Sequence, residues 1–187
     1  MSSPPEMSAS PGKFILYACP TGELALQLDR YFEESRRLYG ENAAHGYMPH
    51  ISLTGFFCDL PAAIPTYLRI LERLMASNPP PNDAITLSRL RLDPDFHGFE
   101  VESAWCHALV ADWIADAPAD TRQEAIRPKD WLHLSLAYRF PPAQHAALKT
   151  LAEATVHQDA AVGWELRFYE RPSDLSWTCH WRHSITP

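Results

Sequence analysis

Hydrophobic positions along this chain follow two spacings, and each spacing predicts a type of secondary structure. Short apolar runs and alternating apolar and polar residues are typical of β-strands, whereas apolar residues three or four apart are typical of amphipathic helices. The strand spacing occupies 13–19, 49–57, 85–92, 99–103, 131–140, 163–169 and 177–184. The helical spacing follows in four places: after Thr21, after Asp59 and Pro61, from Trp105, and from Pro141 to about Val156. We therefore expect helices and strands to mingle in an α/β or α+β fold.

Proline and glycine mark the expected ends of several elements. Pro20 is expected to end the first strand and Gly40 the first helix. The second helix is expected to end at Asn78, before three successive prolines. Residues 1–12 are rich in Ser and Pro and are expected to form a disordered tail. The remainder, 13–187, fits a single domain made of two small lobes.

Composition narrows the classes of function that fit. Of the 187 residues, 46% are hydrophobic and 21% are charged, which is typical of a globular protein with a buried core. The formal net charge of −7 argues against binding to long duplex nucleic acid, but it permits a small anionic ligand in a locally positive pocket. Neither GxGxxG nor GxxxxGK[ST] occurs, so a glycine-rich phosphate loop is not expected.

The cysteines and the start of the chain suggest a compartment. Cys19, Cys58, Cys106 and Cys179 lie far apart and form no CxxC pair. The first residues lack the features of a secretory signal, and no run of about 18 apolar residues occurs. We expect an intracellular, cytoplasmic protein with free thiols that act as small buried hydrophobes.

One short pattern occurs twice. Pro-His-Ile-Ser-Leu starts at Pro49, and Leu-His-Leu-Ser-Leu starts at Leu132. Each copy lies in a predicted strand, and each precedes a helix that begins at a proline. A duplication of this kind predicts two similar lobes that place His50 and His133 symmetrically.

Alternation along a strand puts the polar residues of each copy on one face. His50, Ser52 and Thr54 share such a face, and so do His133 and Ser135, while the aliphatic residues between them face a core. One imidazole can take a proton from water and the other can donate one, because the unperturbed pKa of histidine is about 6.5. The hydroxyls can donate hydrogen bonds to phosphate oxygens. The pattern therefore indicates an apparatus for cleaving phosphodiesters without a metal.

The two copies of His–hydrophobic–Ser–hydrophobic resemble the signature of the two-histidine (2H) phosphoesterase superfamily. The strings PHISLTGFF and LHLSLAYRF, with WELRFYERP near the end, are most similar to the phosphodiesterase domain of the TULA (suppressor of T-cell receptor signalling) proteins. Those proteins carry further SH3, ubiquitin-binding and phosphatase-like domains, so a free-standing relative is expected here. The resemblance implies an α+β, bilobal fold, with two pseudo-symmetric antiparallel-rich sheets around a central cleft and helices outside.

The resemblance also implies an activity, which is the opening of 2′,3′-cyclic phosphates or attack on related 2′–5′ or 3′-terminal RNA phosphodiesters. Transferred by motif position, His50 and His133 become the acid/base pair, and Ser52 and Ser135 become the phosphate ligands. No cofactor is implied. Which histidine is the acid stays open.

Three more residues are candidates for substrate binding. Tyr138 matches an aromatic residue found near the substrate in some relatives, but strict alternation places it on the core face unless the strand bulges. By the same alternation Phe56 and Arg139 lie on the cleft side. Phe56 is able to stack on a base, and Arg139 is able to attract phosphate.

Other interpretations stay open beside this one. The fold is also compatible with a non-catalytic nucleotide-binding or protein-interaction module, or with a 3′-end RNA exonuclease, which would need a longer basic track. Cys179, His180 and His183 resemble a metal cluster, but the two histidines have opposite parity on a strand, so no metal site is expected.

The expected partner is a small nucleotide or a short RNA end, with no long duplex nucleic acid and no membrane; the oligomeric state stays open. The remaining histidines show no pattern and are expected at the surface or in caps: His45, His97, His107, His145 and His157.

Overall fold

The structure is a computed structural model that describes residues 10–171 and 176–185. Most of the predicted tail, residues 1–9, lies outside the described residues. The first strand already begins at Gly12, one residue before the predicted start.

Eight strands and four α-helices make up the described chain. The strands are β1 (Gly12–Thr21), β2 (Ile51–Ser52), β3 (Phe57–Asp59), β4 (Thr86–Leu92), β5 (Phe96–Glu102), β6 (Leu132–Tyr138), β7 (Val162–Glu170) and β8 (Thr178–Ser184). The helices are α1 (Gly22–Tyr39), α2 (Ile64–Ser77), α3 (Ala104–Asp116) and α4 (His145–Thr155). Three short 3₁₀ turns cover Ala43–Gly46, Pro61–Ala63 and Pro142–Gln144. The α+β class is confirmed.

All strand pairs are antiparallel, and the strands form one continuous sheet. Its order is β4-β5-β6-β2-β1-β7-β8, with β3 paired to one end of β1. The two expected groups of strands are the two halves of this sheet. The two-residue strand β2 joins them, because it pairs with β1 on one side and β6 on the other.

The helices cover one face of the sheet. Phe14, Leu16 and Ala18 of β1 belong to the main core. Buried residues of all four α-helices belong to the same core. The alternate residues Ile15 and Tyr17 are also buried, but they belong to a second apolar cluster on the opposite face. β1 is therefore buried on both faces, which explains why its sequence is almost continuously apolar.

Local sequence signals explain most element ends. Thr21 and Gly40 flank α1, and Gly40 has a φ of 81°, a conformation that glycine adopts without the steric cost of a side chain. The prediction that Pro20 ends the first strand is wrong, because β1 continues through it to Thr21. Pro20 lies beyond the residues that β2 pairs, so its missing N–H interrupts no pairing on that side.

Two further expectations need correction. The segment 49–57 is not one strand but two short ones, with only an isolated bridge from Thr54 to Pro128 between them. His97 is not at the surface: it is fully buried, and its Nε2 lies 3.0 Å from Nδ1 of His145. His45 does act in a cap, where its side chain accepts from the backbone N–H of Asn42.

All four cysteines are free thiols; Cys19 and Cys106 are buried, and Cys58 and Cys179 are partly exposed. None of the helices in the described part of the chain combines the length and hydrophobicity that a membrane span needs.

Candidate active site

The two repeated motifs lie side by side in the middle of the sheet. Ile51 of β2 pairs with Leu134 of β6 in antiparallel register. Continuing this register by one residue in each direction places His50 opposite Ser135 and Ser52 opposite His133. Each histidine therefore faces the serine of the other motif, as the predicted pseudo-symmetry requires.

The motif side chains open into one cavity of about 340 Å³, which Ile15 and Tyr17 of the second apolar cluster also line. His50, Ser52, His133 and Ser135 all line it. The residues between them, Ile51, Leu53, Leu132, Leu134 and Leu136, are buried in the core. The alternation predicted from the sequence thus holds for both motifs.

His50 lies deepest among the two histidines. Its Nδ1 is 2.7 Å from the carbonyl oxygen of Met48, and because a carbonyl only accepts, this nitrogen carries the proton. The ring packs against Tyr17, with 3.9 Å between ring centres and 31° between the ring planes. Burial lowers the pKa of His50 to about 4, against the opposing effect of the Met48 hydrogen bond. His50 is therefore neutral at physiological pH, with Nε2 free to accept a proton.

His133 has a related but more open environment. Its Nδ1 lies 3.4 Å from the carbonyl oxygen of Trp131, two residues back as in the first motif. The ring stacks on the indole of Trp131 at 4.1 Å between centres. Burial lowers the pKa of His133, and the Lys129 ammonium lowers it further, while the hydrogen bond to Trp131 opposes both. A protonated His133 in turn lowers the pKa of His50, so the two rings are close enough to interact.

The two serine hydroxyls are available to a ligand. Ser52 and Ser135 are half-buried, and within the described part of the chain neither hydroxyl makes a hydrogen bond to protein. Thr54 differs, because it is fully buried and its Oγ1 accepts from the Leu16 N–H at 3.2 Å. The Thr54 hydroxyl is therefore used within the sheet, whereas the two serine hydroxyls remain able to bind a ligand in the cavity.

The cavity is positive although the whole chain is negative. Lys129 lines it, and no aspartate or glutamate is among the described residues that do so. Arg171 lies next to the cavity, where its guanidinium donates to the hydroxyl of the lining residue Tyr47 at 3.0 Å. Its charge also lowers the pKa values of Tyr17 and Tyr138, which burial raises. The site therefore favours an anion.

A bulge in β6 decides where the other predicted residues lie. His97 pairs with Ala137 and Gly98 with Ser135, so Leu136 is an extra residue on β6. The bulge turns Tyr138 into the cavity, which it lines. Arg139 then falls on the other side: it is exposed, has a φ of 54° and does not line the cavity, contrary to the alternation argument.

Phe56 also lines the cavity, as its parity predicts. Its ring is already partly covered, because Lys13 Nζ lies 4.8 Å from the ring centre and Trp177 packs at 6.2 Å.

Sequence reasoning missed several lining residues: Tyr17, Tyr47, Phe96, Lys129 and Trp131. Parity along β1 places Tyr17 on the face opposite the main core, a signal that was present in the sequence. Trp131 and Lys129 share parity with His133, but Lys129 precedes the strand, so the alternation did not extend to it. Phe96 is placed by its pairing with Tyr138, and the Tyr47 hydroxyl is held by distant Arg171. Within residues 10–171 and 176–185, no cluster of three His, Cys, Asp or Glu side chains is arranged to hold a metal ion.

Comparison with known proteins supports the resemblance that the motifs suggested. The chain is 33% identical to the ecdysteroid-phosphate phosphatase of Drosophila melanogaster over 207 aligned positions, which cover 89% of this chain and 27% of that protein. It is 30% identical to the human ubiquitin-associated and SH3 domain-containing protein B over 172 positions, covering 86% of this chain and 25% of that protein. The mouse protein B gives the same identity over the same length.

The similarity to the TULA proteins is confirmed. No family model matches the chain. The chain spans about a quarter of the length of the curated relatives it matches.

Proposed function

We propose that this protein is a metal-independent phosphodiesterase that hydrolyses 2′,3′-cyclic nucleotides or related RNA-terminal phosphodiesters. One observation carries the proposal: the antiparallel pairing of the two motifs sets each histidine opposite the serine of the other, in a cavity that no described carboxylate lines. Two imidazoles and two free hydroxyls around one anionic group are what an in-line attack on phosphorus needs.

His50 acts as the general base in this proposal. Its Nδ1 proton is engaged by the Met48 carbonyl, so Nε2 is the nitrogen that accepts. Its lowered pKa of about 4 keeps it neutral before substrate binds. Nε2 takes a proton from a water molecule as the water oxygen forms a bond to phosphorus.

His133 acts as the general acid. Its pKa is lowered, but it is the more open of the two rings, and a bound phosphate raises the pKa of an adjacent imidazole by favouring the charged form. As the bond between phosphorus and the leaving 2′ or 3′ oxygen breaks, His133 donates its proton to that oxygen. The Ser52 and Ser135 hydroxyls donate hydrogen bonds to the two non-bridging oxygens.

A phosphate monoester is the second candidate substrate, because two relatives are named ecdysteroid-phosphate phosphatase. Monoester hydrolysis gives inorganic phosphate, and cyclic diester hydrolysis gives a nucleoside monophosphate, so the products separate the two. The relatives extend well beyond the region that matches this chain, so their name is a weak guide to this cavity.

A substrate screen tests the proposal. The protein is incubated with the four 2′,3′-cyclic nucleotides, short RNAs ending in a cyclic phosphate, and a nucleoside monophosphate, and products are identified by mass and chromatography. Ring opening of at least one cyclic substrate is expected. Release of inorganic phosphate alone, or turnover of none, would contradict the proposal. Tight binding of a cyclic nucleotide with no turnover would instead favour a binding module.

A further inference from the structure

Trp131 is the most exposed aromatic residue of the cavity. It retains 46% of its accessible surface. The other large exposed hydrophobics in the described part of the chain, Leu26 and Leu38, belong to α1 and do not line the cavity. The remaining aromatic residues that line the cavity are all buried or half-buried. A large apolar surface left open beside a binding site is typical of a contact for ligand.

The indole is held in place before any ligand arrives. One contact is the His133 ring, nearly parallel at 26°. Phe96 packs against it at 5.4 Å between ring centres, and the Arg91 guanidinium lies 5.8 Å from its centre. Arg91 is itself held by ion pairs to Asp93 and Glu100. Little side-chain entropy remains to be lost when a flat group stacks on the indole.

Gly98 lies under the Phe96 ring. A Cβ added at Gly98 would lie 2.5 Å from the Leu134 carbonyl oxygen of the paired strand and 2.6 Å from the Phe96 ring. Without that Cβ, the Phe96 ring leans along the sheet to reach both Trp131 and His133. The aromatic surface is thus built by backbone pairing and not by chance contact of loose side chains.

Stacking on Trp131 places a flat group beside the scissile phosphate. The indole touches the His133 ring, which donates the proton to the leaving oxygen in the proposed reaction. Phe56 is the alternative surface, but it is only half-exposed, whereas Trp131 is among the exposed large hydrophobic residues. Lys129, close enough to lower the pKa of His133, supplies positive charge for the phosphate on the same side.

We propose that Trp131 is the base-stacking residue of this site, and that it gives the enzyme a preference for purine over pyrimidine cyclic nucleotides. The larger ring system of a purine covers more of the indole. The strength of stacking depends on ring area and not on the hydrogen-bonding pattern of the base. This inference rests on the proposed function, and it names the part of the substrate that the cavity selects.

The test compares substrates with and without a base. kcat and KM are measured for 2′,3′-cyclic AMP, 2′,3′-cyclic CMP and glycerol 1,2-cyclic phosphate with the wild type, Trp131→Ala, Trp131→Phe and Phe56→Ala. Trp181→Ala is the matched control, because Trp181 also stacks on an imidazole, that of His183, but lies on β8 away from the cavity.

We expect Trp131→Ala to lower kcat/KM for cyclic AMP by about 5- to 150-fold, mainly through KM, relative to the change for the glycerol substrate. The purine preference should disappear in Trp131→Ala and largely remain in Trp131→Phe. Trp181→Ala should leave the ratios unchanged.

The ratio between substrates separates base stacking from a structural role. Loss of support for His133 would lower turnover of all three substrates by the same factor and leave the ratio unchanged, which would overturn the inference. Loss of base dependence in Phe56→Ala and not in Trp131→Ala would overturn it as well. In both cases hydrolysis of cyclic AMP by the wild type would leave the proposed function standing; absence of any wild-type turnover would overturn both.

Discussion

The pH dependence of kcat/KM should reach its maximum on the acid side of neutrality. This parameter reports the ionisation of the free enzyme, in which His50 must be neutral and His133 protonated. Burial disfavours the charged imidazolium, so the pKa of His50 falls to about 4 and that of His133 falls below its ordinary 6.5. The acid limb should therefore lie near pH 4 and the alkaline limb below about pH 6.5.

The expected magnitudes are large. At about pH 6 a group with a pKa of about 4 is neutral in about 99% of molecules, so the base is ready. Because burial lowers the pKa of His133, its protonated form is rarer on the alkaline side than that of an ordinary histidine. Once the pH is well above that pKa, kcat/KM should fall about tenfold for each further pH unit. Because bound phosphate raises both imidazole pKa values, the kcat profile should be displaced toward higher pH.

The assay is hydrolysis of a 2′,3′-cyclic nucleotide well below KM between about pH 4 and 9. A nitrophenyl phosphodiester provides a second profile, because its leaving group needs no protonation. With that substrate the alkaline limb should vanish, and His133→Ala should lower kcat/KM far less than His50→Ala does. The limbs belong to the interacting pair, so the two substrates are needed to assign them. An optimum above about pH 7.5, or an acid limb near 6.5, would show that burial does not lower these two pKa values in the free enzyme.

Three further outcomes follow from the same structure. Activity should be retained after dialysis against EDTA. Loss of activity that a divalent ion restores would exclude the metal-free mechanism. Lys129→Gln should raise KM and move the alkaline limb upward, because a positive charge that lowers the pKa of His133 is removed; an unmoved limb would contradict this reading. The pKa of buried His97 is lowered to about 4, so its ring takes up a proton less readily in the folded than in the unfolded state. The stability that the folded state gains from neutral His97 is therefore complete above pH 6.5 and declines toward pH 4. The free energy of unfolding is measured for wild type and His97→Gln across this range. It should fall by about 3 kcal/mol more in the wild type as the pH is lowered, and parallel curves would exclude the effect.

The residues found from sequence were those marked by a repeated local pattern. His50, Ser52, His133 and Ser135 could be placed on one face because strand alternation is a property of the backbone. Their mutual placement followed from duplication, which predicted symmetry and so the shared cavity.

What the pattern could not predict depends on pairing between distant segments. The bulge at Leu136 arises where β5 and β6 pair, and it exchanged the expected positions of Tyr138 and Arg139. The predicted strand 49–57 was interrupted because its second part pairs with the start of β1 and its middle with residue 128. His97 has no distinctive sequence context, and the residues that pack against it, Phe140 and His145, are distant from it in the sequence.

The turnover of single histidine variants tests whether the two paired motifs form a catalytic site. His50→Ala and His133→Ala are compared with wild type on the best cyclic substrate, with exposed His107→Ala on α3 as the matched control and thermal midpoints as the check on folding. Each active-site variant should lose about 10²–10⁴-fold in kcat while His107→Ala retains it. The double variant should be far less than multiplicatively worse, because the pair acts as a unit. Near wild-type kcat in a folded His50→Ala or His133→Ala protein would show that this histidine is neither the acid nor the base of the reaction.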